Sequence, residues 1–217
     1  MRRLNRHSVA LPQCLGAAPE GRRYGHLSGA EKTQIREALH AIQGQRCAYC
    51  ERRTGPGAND GHIEHFRCQA GHDALALDWT NLFWSCNDEM TCGKFKDKCT
   101  GTRGPRAKFD PTDLIDPSID DPGDYFLFIV DGAIKVKDGL DDAQRERAVE
   151  TLRVFNLADS AFLRKAREDA VQPFVGIVAM LMKQAPDKLA DYISSEMARS
   201  ADLPFSAPVR HFFFGQV

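Results

Sequence analysis

No run of eighteen or more apolar residues occurs in the 217-residue chain, and the opening stretch MRRLNRHSVALPQCLG has basic residues with no continuous apolar segment behind them. Neither a membrane span nor a secretory leader is supported, so the expectation is a cytoplasmic protein with no membrane partner. An excess of one charge is also lacking, since 29 Lys and Arg stand against 30 Asp and Glu. A molecule at a formal net charge of −1 does not attract nucleic acid as a whole, and any attraction must come from local patches. No internal repeat is visible. With 42% hydrophobic residues, the chain can bury a core as one compact domain or one small domain with an extension.

Seven cysteines is an odd number, and a disulfide framework explains them poorly in a chain without an export signal. Metal explains them better. Cys47 and Cys50 form a CxxC pair, and Cys86 and Cys92 form a second pair with a longer gap. Two such knuckles can turn four thiolates toward one zinc ion; four sulfur ligands leave no open position, which makes the site structural. On spacing alone Cys99 or Cys68 can substitute for Cys92. Buried thiols acting as small hydrophobes are the plainer alternative.

Between the knuckles lies His62-Ile63-Glu64-His65. A strand over residues 61 to 66 puts His62 and Glu64 on one face and Ile63 and His65 on the other. Hydrolysis of a phosphodiester asks for a carboxylate that binds a divalent cation beside a neutral imidazole that takes a proton from water. Histidine suits the second task because its free pKa lies near neutral. The same string also reads as surface histidines, or as one histidine replacing a cysteine at zinc. The basic run from Lys94 to Lys108 carries Lys94, Lys96, Lys98, Arg103, Arg106 and Lys108 against the single acid Asp97. Such a run is either a solvated face or a surface that contacts phosphates without reading sequence.

The remaining pattern predicts the supporting elements. Ser28 and Glu31 have the SxxE form of a capping box, and Ile35, Leu39 and Ile42 recur at helical spacing up to Gly44, so a helix is expected over 29–43. Residues 100–124 are rich in Gly, Pro and Asp and read as a loop. Asp131-Gly132 between two strand-like runs, Tyr125 to Lys137, predicts a hairpin. Ala148, Leu152 and Phe155 mark one helix, Phe162 to Met182 a second interrupted at Pro173, and Leu189, Tyr192, Ile193 and Met197 a third. The tail LPFSAPVRHFFFGQV is expected to pack back on the core or to meet a partner.

Together CAYCE, HIEHFR, WTNLFWSCN and CGKFKD resemble the motif of HNH, or ββα-metal, endonucleases with their zinc knuckles. With the downstream LIDPSIDDP and LPFSAPVRHF, they resemble the PtuB-type HNH nucleases of Septu and retron anti-phage systems, over about residues 45 to 215. The resemblance implies a zinc-knuckle ββα-metal core (45–110); with the patterns above, the expectation is an α+β fold with an N-terminal segment and helix (1–44) before that core and a hairpin with a mostly helical region (111–217) after it. It implies His65 as general base, Glu64 as ligand of a catalytic Mg²⁺ or Mn²⁺, Asn81 as brace of the loop that holds His65, and structural zinc on Cys47, Cys50, Cys86 and Cys92. It further implies a nucleic-acid substrate, DNA before structured RNA, and a PtuA-like ABC or SMC-type ATPase as partner. One departure stands out. Many HNH motifs end in a histidine or asparagine ligand close to the last knuckle cysteine, but here Gly93 and Lys94 follow Cys92. His62 and Asp97 are the replacements to consider. A zinc-stabilised module that binds nucleic acid or protein without chemistry is the alternative function.

Overall fold

A computed structural model describes residues 1–16, 21–55, 57, 59–69 and 72–215. Pro56 and Ala58 of the loop after the first knuckle, and Gln216 and Val217 of the tail, lie outside the described residues. The architecture is α+β, with two separate two-stranded antiparallel sheets among helices.

A short helix α1 (Gln13–Gly16) precedes α2 (Gly29–Gln43). Ser28 caps α2 by accepting the Glu31 N–H while the Glu31 carboxylate accepts the Ser28 N–H, and Gly44 ends it at φ 61°, a left-handed turn that glycine adopts without a Cβ clash. The α2 face carrying Ile35 and Leu39 packs on Leu82 and Trp84, and each such buried side chain contributes about 1.5–3 kcal/mol. Its last residue ties the helix to the sheet. Gln43 Oε1 accepts the Trp84 N–H at 2.9 Å, and its Nε2 donates to the Trp84 carbonyl at 2.9 Å and to the Arg46 carbonyl at 2.8 Å.

That sheet pairs β1 (His62–His65) with β2 (Leu82–Ser85) in the register His62 to Ser85 and His65 to Leu82. Helix α3 (Cys92–Lys96) follows directly. Residues 100–124 are mostly irregular as expected, with a 3-10 turn at Pro111–Asp113 and the short α4 (Pro122–Tyr125) at the end. The second sheet is the expected hairpin, β3 (Phe126–Phe128) against β4 (Ile134–Val136), with Gly132 at φ 79° in its turn.

Helices α5 (Asp142–Val154), α6 (Ala161–Gln184), α7 (Leu189–Ser200) and α8 (Ser206–Phe214) complete the chain. Pro173 does not interrupt α6, contrary to the sequence expectation. It sits on the solvent side, while on the opposite side Leu163 packs into one buried cluster and Val171 and Val178 into another, so that burial on both sides of the proline outweighs a missing N–H. The tail packs back through α8: Phe212 and Phe213 are buried with Val171, Val178, Ile193 and Val209, and Phe214 stays 55% exposed. The largest buried cluster draws on the whole chain, joining Met1 and Leu4 to the knuckle cysteines, to Phe126 and Phe155, and to Phe205.

Candidate functional site

The two knuckles meet because β2 runs from the α2 seam straight into Cys86. The Ala48 N–H donates to the Trp84 carbonyl at 3.0 Å, and the Cys47 N–H to the Arg52 carbonyl at 2.9 Å, which folds the first CxxC over the end of the strand. Two non-glycine residues at the knuckles take left-handed backbone, Glu51 at φ 64° and Cys92 at φ 58°. Such a conformation costs about 1–3 kcal/mol and persists only where surrounding bonds enforce it. At Cys92 the enforcing bond is its N–H to the Phe155 carbonyl, 2.8 Å.

The sulfurs of Cys47, Cys50, Cys86 and Cys92 all lie within 4.8 Å of one another and are buried. A tetrahedron of thiolates about 2.3 Å from zinc sets sulfurs roughly 3.8 Å apart, and Cys50 and Cys86 stand at 4.0 Å. The donor set therefore fits a metal such as zinc. Cys99 and Cys68 are not part of it; Cys99 donates to the Phe95 carbonyl, and Cys68 lies beside Lys96. Among the described residues these four make up the sole group of three or more potential ligands within mutual reach.

On β1 the strand alternation places His62 and Glu64 together. His62 Nε2 is 3.0 Å from Glu64 Oε2, and the other ring nitrogen meets Asn87 Oδ1 at 3.0 Å. Glu64 is 2% exposed. Burial by itself would raise its pKa, but the charge of Lys96 and the bond to His62 bring it below the ordinary carboxylate value. Burial likewise disfavours a charged His62, yet hydrogen bonding to Glu64 and its charge raise the imidazole above its ordinary value.

Gly93 faces this pair. A Cβ there would lie 2.4 Å from Glu64 Oε2 and 2.9 Å from His62 Nε2, so the place of a side chain at position 93 is already taken by the Glu64 carboxylate and the imidazole beside it. Asp97 is more open: its side chain is 54% exposed and reaches the Lys96 ammonium at 3.1 Å, the ammonium that also meets Glu64 Oε1.

His65 turns away from that pair. Its Nε2 lies 3.0 Å from the Ala76 carbonyl, which can only accept, so Nε2 carries the proton and Nδ1 keeps its lone pair, with Gln69 Nε2 3.4 Å away. The ring meets Tyr24 edge-on at 4.8 Å, and burial holds its pKa below the ordinary value. Asn81 clamps the loop next to it. The Arg67 N–H donates to Asn81 Oδ1 at 2.7 Å, and Asn81 Nδ2 donates to the carbonyls of Arg67 at 3.0 Å and Leu75 at 3.1 Å.

The basic run is divided. Lys96 is not on the surface where a phosphate could meet it; it is 1% exposed, with Nζ 2.6 Å from Glu64 Oε1, 2.6 Å from the His65 carbonyl and 3.3 Å from Cys68 Sγ. The expectation that it joins the phosphate-contacting run is corrected by its burial. Lys98 pairs with Glu89, and Arg106 lies over the Phe95 ring. Arg103, Arg106 and Lys108 are exposed and Lys94 half-buried. Sequence reasoning missed three parts of the site, namely the inward Lys96, the Ala76 carbonyl and Gln69. Lys96 alone left a trace, since it stands one helical turn after Cys92 and shares its buried face.

The chain that carries this site resembles an HNH nuclease of the PtuB kind. Two curated proteins carry the likeness. The Septu protein PtuB of Bacillus thuringiensis is 28% identical over 95 residues, 43% of this chain and 32% of that protein. A protein of Vibrio cholerae serotype O1 biovar El Tor, provisionally named an HNH endonuclease of retron Vc95, is 26% identical over 127 residues, 55% of each. The chain thus spans about a third and about half of the lengths of these relatives. No family model matches it.

Proposed function

We propose that the chain is a cation-dependent HNH endonuclease that hydrolyses phosphodiester bonds in nucleic acid, the nuclease of a two-component anti-phage system whose other member is a PtuA-like ABC or SMC-type ATPase. In this reading β1, β2 and α3 are the ββα-metal core, and Cys47, Cys50, Cys86 and Cys92 hold structural zinc. The names of the two relatives support the nuclease and the defence role. The observation that carries the chemistry is the neutral His65, anchored at Nε2 with Nδ1 unprotonated, on the same strand as the Glu64 and His62 donor pair.

The roles follow from those positions. His65 Nδ1 takes the proton of the attacking water, after Gln69 yields its place. The Ala76 carbonyl fixes the tautomer, and Asn81 keeps the loop from shifting. Glu64 and His62 are the cation's protein donors, and His62 replaces the ligand that Gly93 cannot supply. When bound, the cation neutralises charge on the scissile phosphate and the leaving oxygen. A mixed oxygen and nitrogen pair suits Mn²⁺ better than Mg²⁺, which prefers oxygen donors. DNA is the favoured substrate and structured RNA the other; Lys94, Arg103, Arg106 and Lys108 are the phosphate contacts retained from the basic run.

One observation favours the alternative of a zinc-stabilised binding module without catalysis: a Glu64 oxygen is already neutralised by the Lys96 ammonium. Cleavage of labelled DNA and of tRNA with Mn²⁺ or Mg²⁺, by the chain alone and with the ATPase, separates the two. The nuclease reading expects cation-dependent products that are lost in His62→Ala and kept in Asp97→Ala. No product under any of these conditions leaves the binding module.

A further inference from the structure

Two clefts absent from the sequence reading meet at Arg3. One, of about 310 Å³, opens between the N-terminal residues, the hairpin and α8, with Arg2, Lys137 and Arg210 on its walls and Phe128 and His211 in its lining. The other, of about 960 Å³, follows the N-terminal segment past His7 to Trp79 and Arg67. Arg67 is two residues beyond His65, and its N–H is the one that Asn81 holds. The larger cleft therefore ends at the loop of the proposed base.

Charge along these clefts is positive in excess. Arg2, Arg3, Arg67, Lys137 and Arg210 have no ion pair among the described residues. Three carboxylates, Asp116, Asp121 and Asp124, also line the clefts and keep their charge, Asp116 accepting from Ser118 and Asp121 from the Gly123 N–H, and the cations Arg2, Arg3, Arg6, Arg67, Lys137 and Arg210 outnumber them. The field registers on His211, whose pKa is held below its ordinary value by burial and then by the charges of Lys137 and Arg210. By contrast, the basic run after the last knuckle has lost Lys96 to Glu64 and ties Lys98 to Glu89. A row of unpaired cations that leads to a hydrolytic histidine matches a phosphodiester backbone in charge and in course.

We propose that the composite groove from Arg210 past Arg3 to Arg67 holds the backbone of a single nucleic-acid strand and delivers it to His65. This inference rests on the nuclease reading above, but its test is binding and not cleavage. Fluorescence anisotropy with a labelled single strand of about 16 nucleotides, in the His65→Ala background without added divalent cation, reads it directly. Arg3→Glu, Arg67→Glu and Arg210→Glu are each expected to weaken binding roughly tenfold and to lower the salt slope by about 0.7 per lost phosphate contact. Lys98→Glu is expected to leave both unchanged. Melting temperatures check that each variant folds, and Arg67→Gln replaces Arg67→Glu if the latter does not. Groove variants that bind like the parent, or a parent that binds only duplex, overturn the proposal. Binding through the groove with no cleavage under any cation would keep the groove and remove the nuclease reading; cleavage with indifferent groove variants would do the reverse.

Discussion

The Lys96 ammonium lies 2.6 Å from Glu64 Oε1, and both side chains are almost wholly out of water. The pair joins α3 to β1, and through the His65 carbonyl, also 2.6 Å from Nζ, it fixes the strand end that carries the proposed base. Removing one member of a buried pair strands the other charge at a cost of about 3–5 kcal/mol, whereas an exposed pair is worth at most about 1 kcal/mol. Lys96→Met should therefore lower the urea unfolding free energy by about 3 kcal/mol. Lys98→Met, which breaks the exposed pair with Glu89, should change it by less than about 1 kcal/mol. Equal stabilities would mean that Lys96 is a surface residue after all.

The cysteine group predicts one tightly held metal ion per chain. Cys86→Ser should lose it and unfold, since a closed site of this kind contributes its binding energy to folding. Cys99→Ser, outside the group, should keep the metal. Elemental analysis of the purified variants decides the matter, and equal metal in both would count against the assignment.

Asn81 is a positioning residue in this account. Asn81→Ala breaks three hydrogen bonds at a buried turn and leaves the backbone groups of Arg67 without their partner, a loss of about 1–3 kcal/mol. Cleavage should fall while the metal content stays that of the parent. A variant with parental stability and rate would show that the loop is held by other means.

His40 supplies a pH test remote from the chemistry. It is buried beside Trp84 on α2, with neither ring nitrogen bonded, and burial, followed by the charge of Arg36, keeps its pKa below the ordinary 6.5. A depressed folded-state value means that the unfolded chain binds the proton first. The stability contributed by neutral His40 is thus complete above about pH 6.5 and is lost as pH falls from there through the folded value. Between pH 7.5 and pH 5 the melting temperature of the parent should drop by more than that of His40→Leu. Parallel curves would contradict this.

Legibility followed the range of the interactions. The α2 cap, the hairpin at Asp131-Gly132 and the CxxC at Cys47 and Cys50 are written in short spacings, and a few neighbouring residues suffice to read them, whereas the choice of Cys92 over Cys99 or Cys68 needed the packed structure. That His62 bonds Glu64 directly while Asp97 meets the same Lys96 ammonium was not readable in that way, because it depends on the closeness of α3 to β1, which only the packed structure defines. Counting charge over residues 94–108 could not separate Lys96 from its neighbours, since a single helical turn carries both a buried and a solvated face. The Pro173 expectation failed for a related reason: local propensity predicted a break, and tertiary burial of Leu163, Val171 and Val178 overrode it.

His65 is the proposed base of a phosphodiester hydrolase. The direct measurement is single-turnover cleavage of labelled nucleic acid by the parent and by His65→Ala, each with its metal content and melting temperature determined, and with the partner ATPase present if the chain alone is silent. His65→Ala is expected to lose at least about 100-fold in rate with the metal retained and the fold intact. Cleavage by His65→Ala at the parental rate would contradict it.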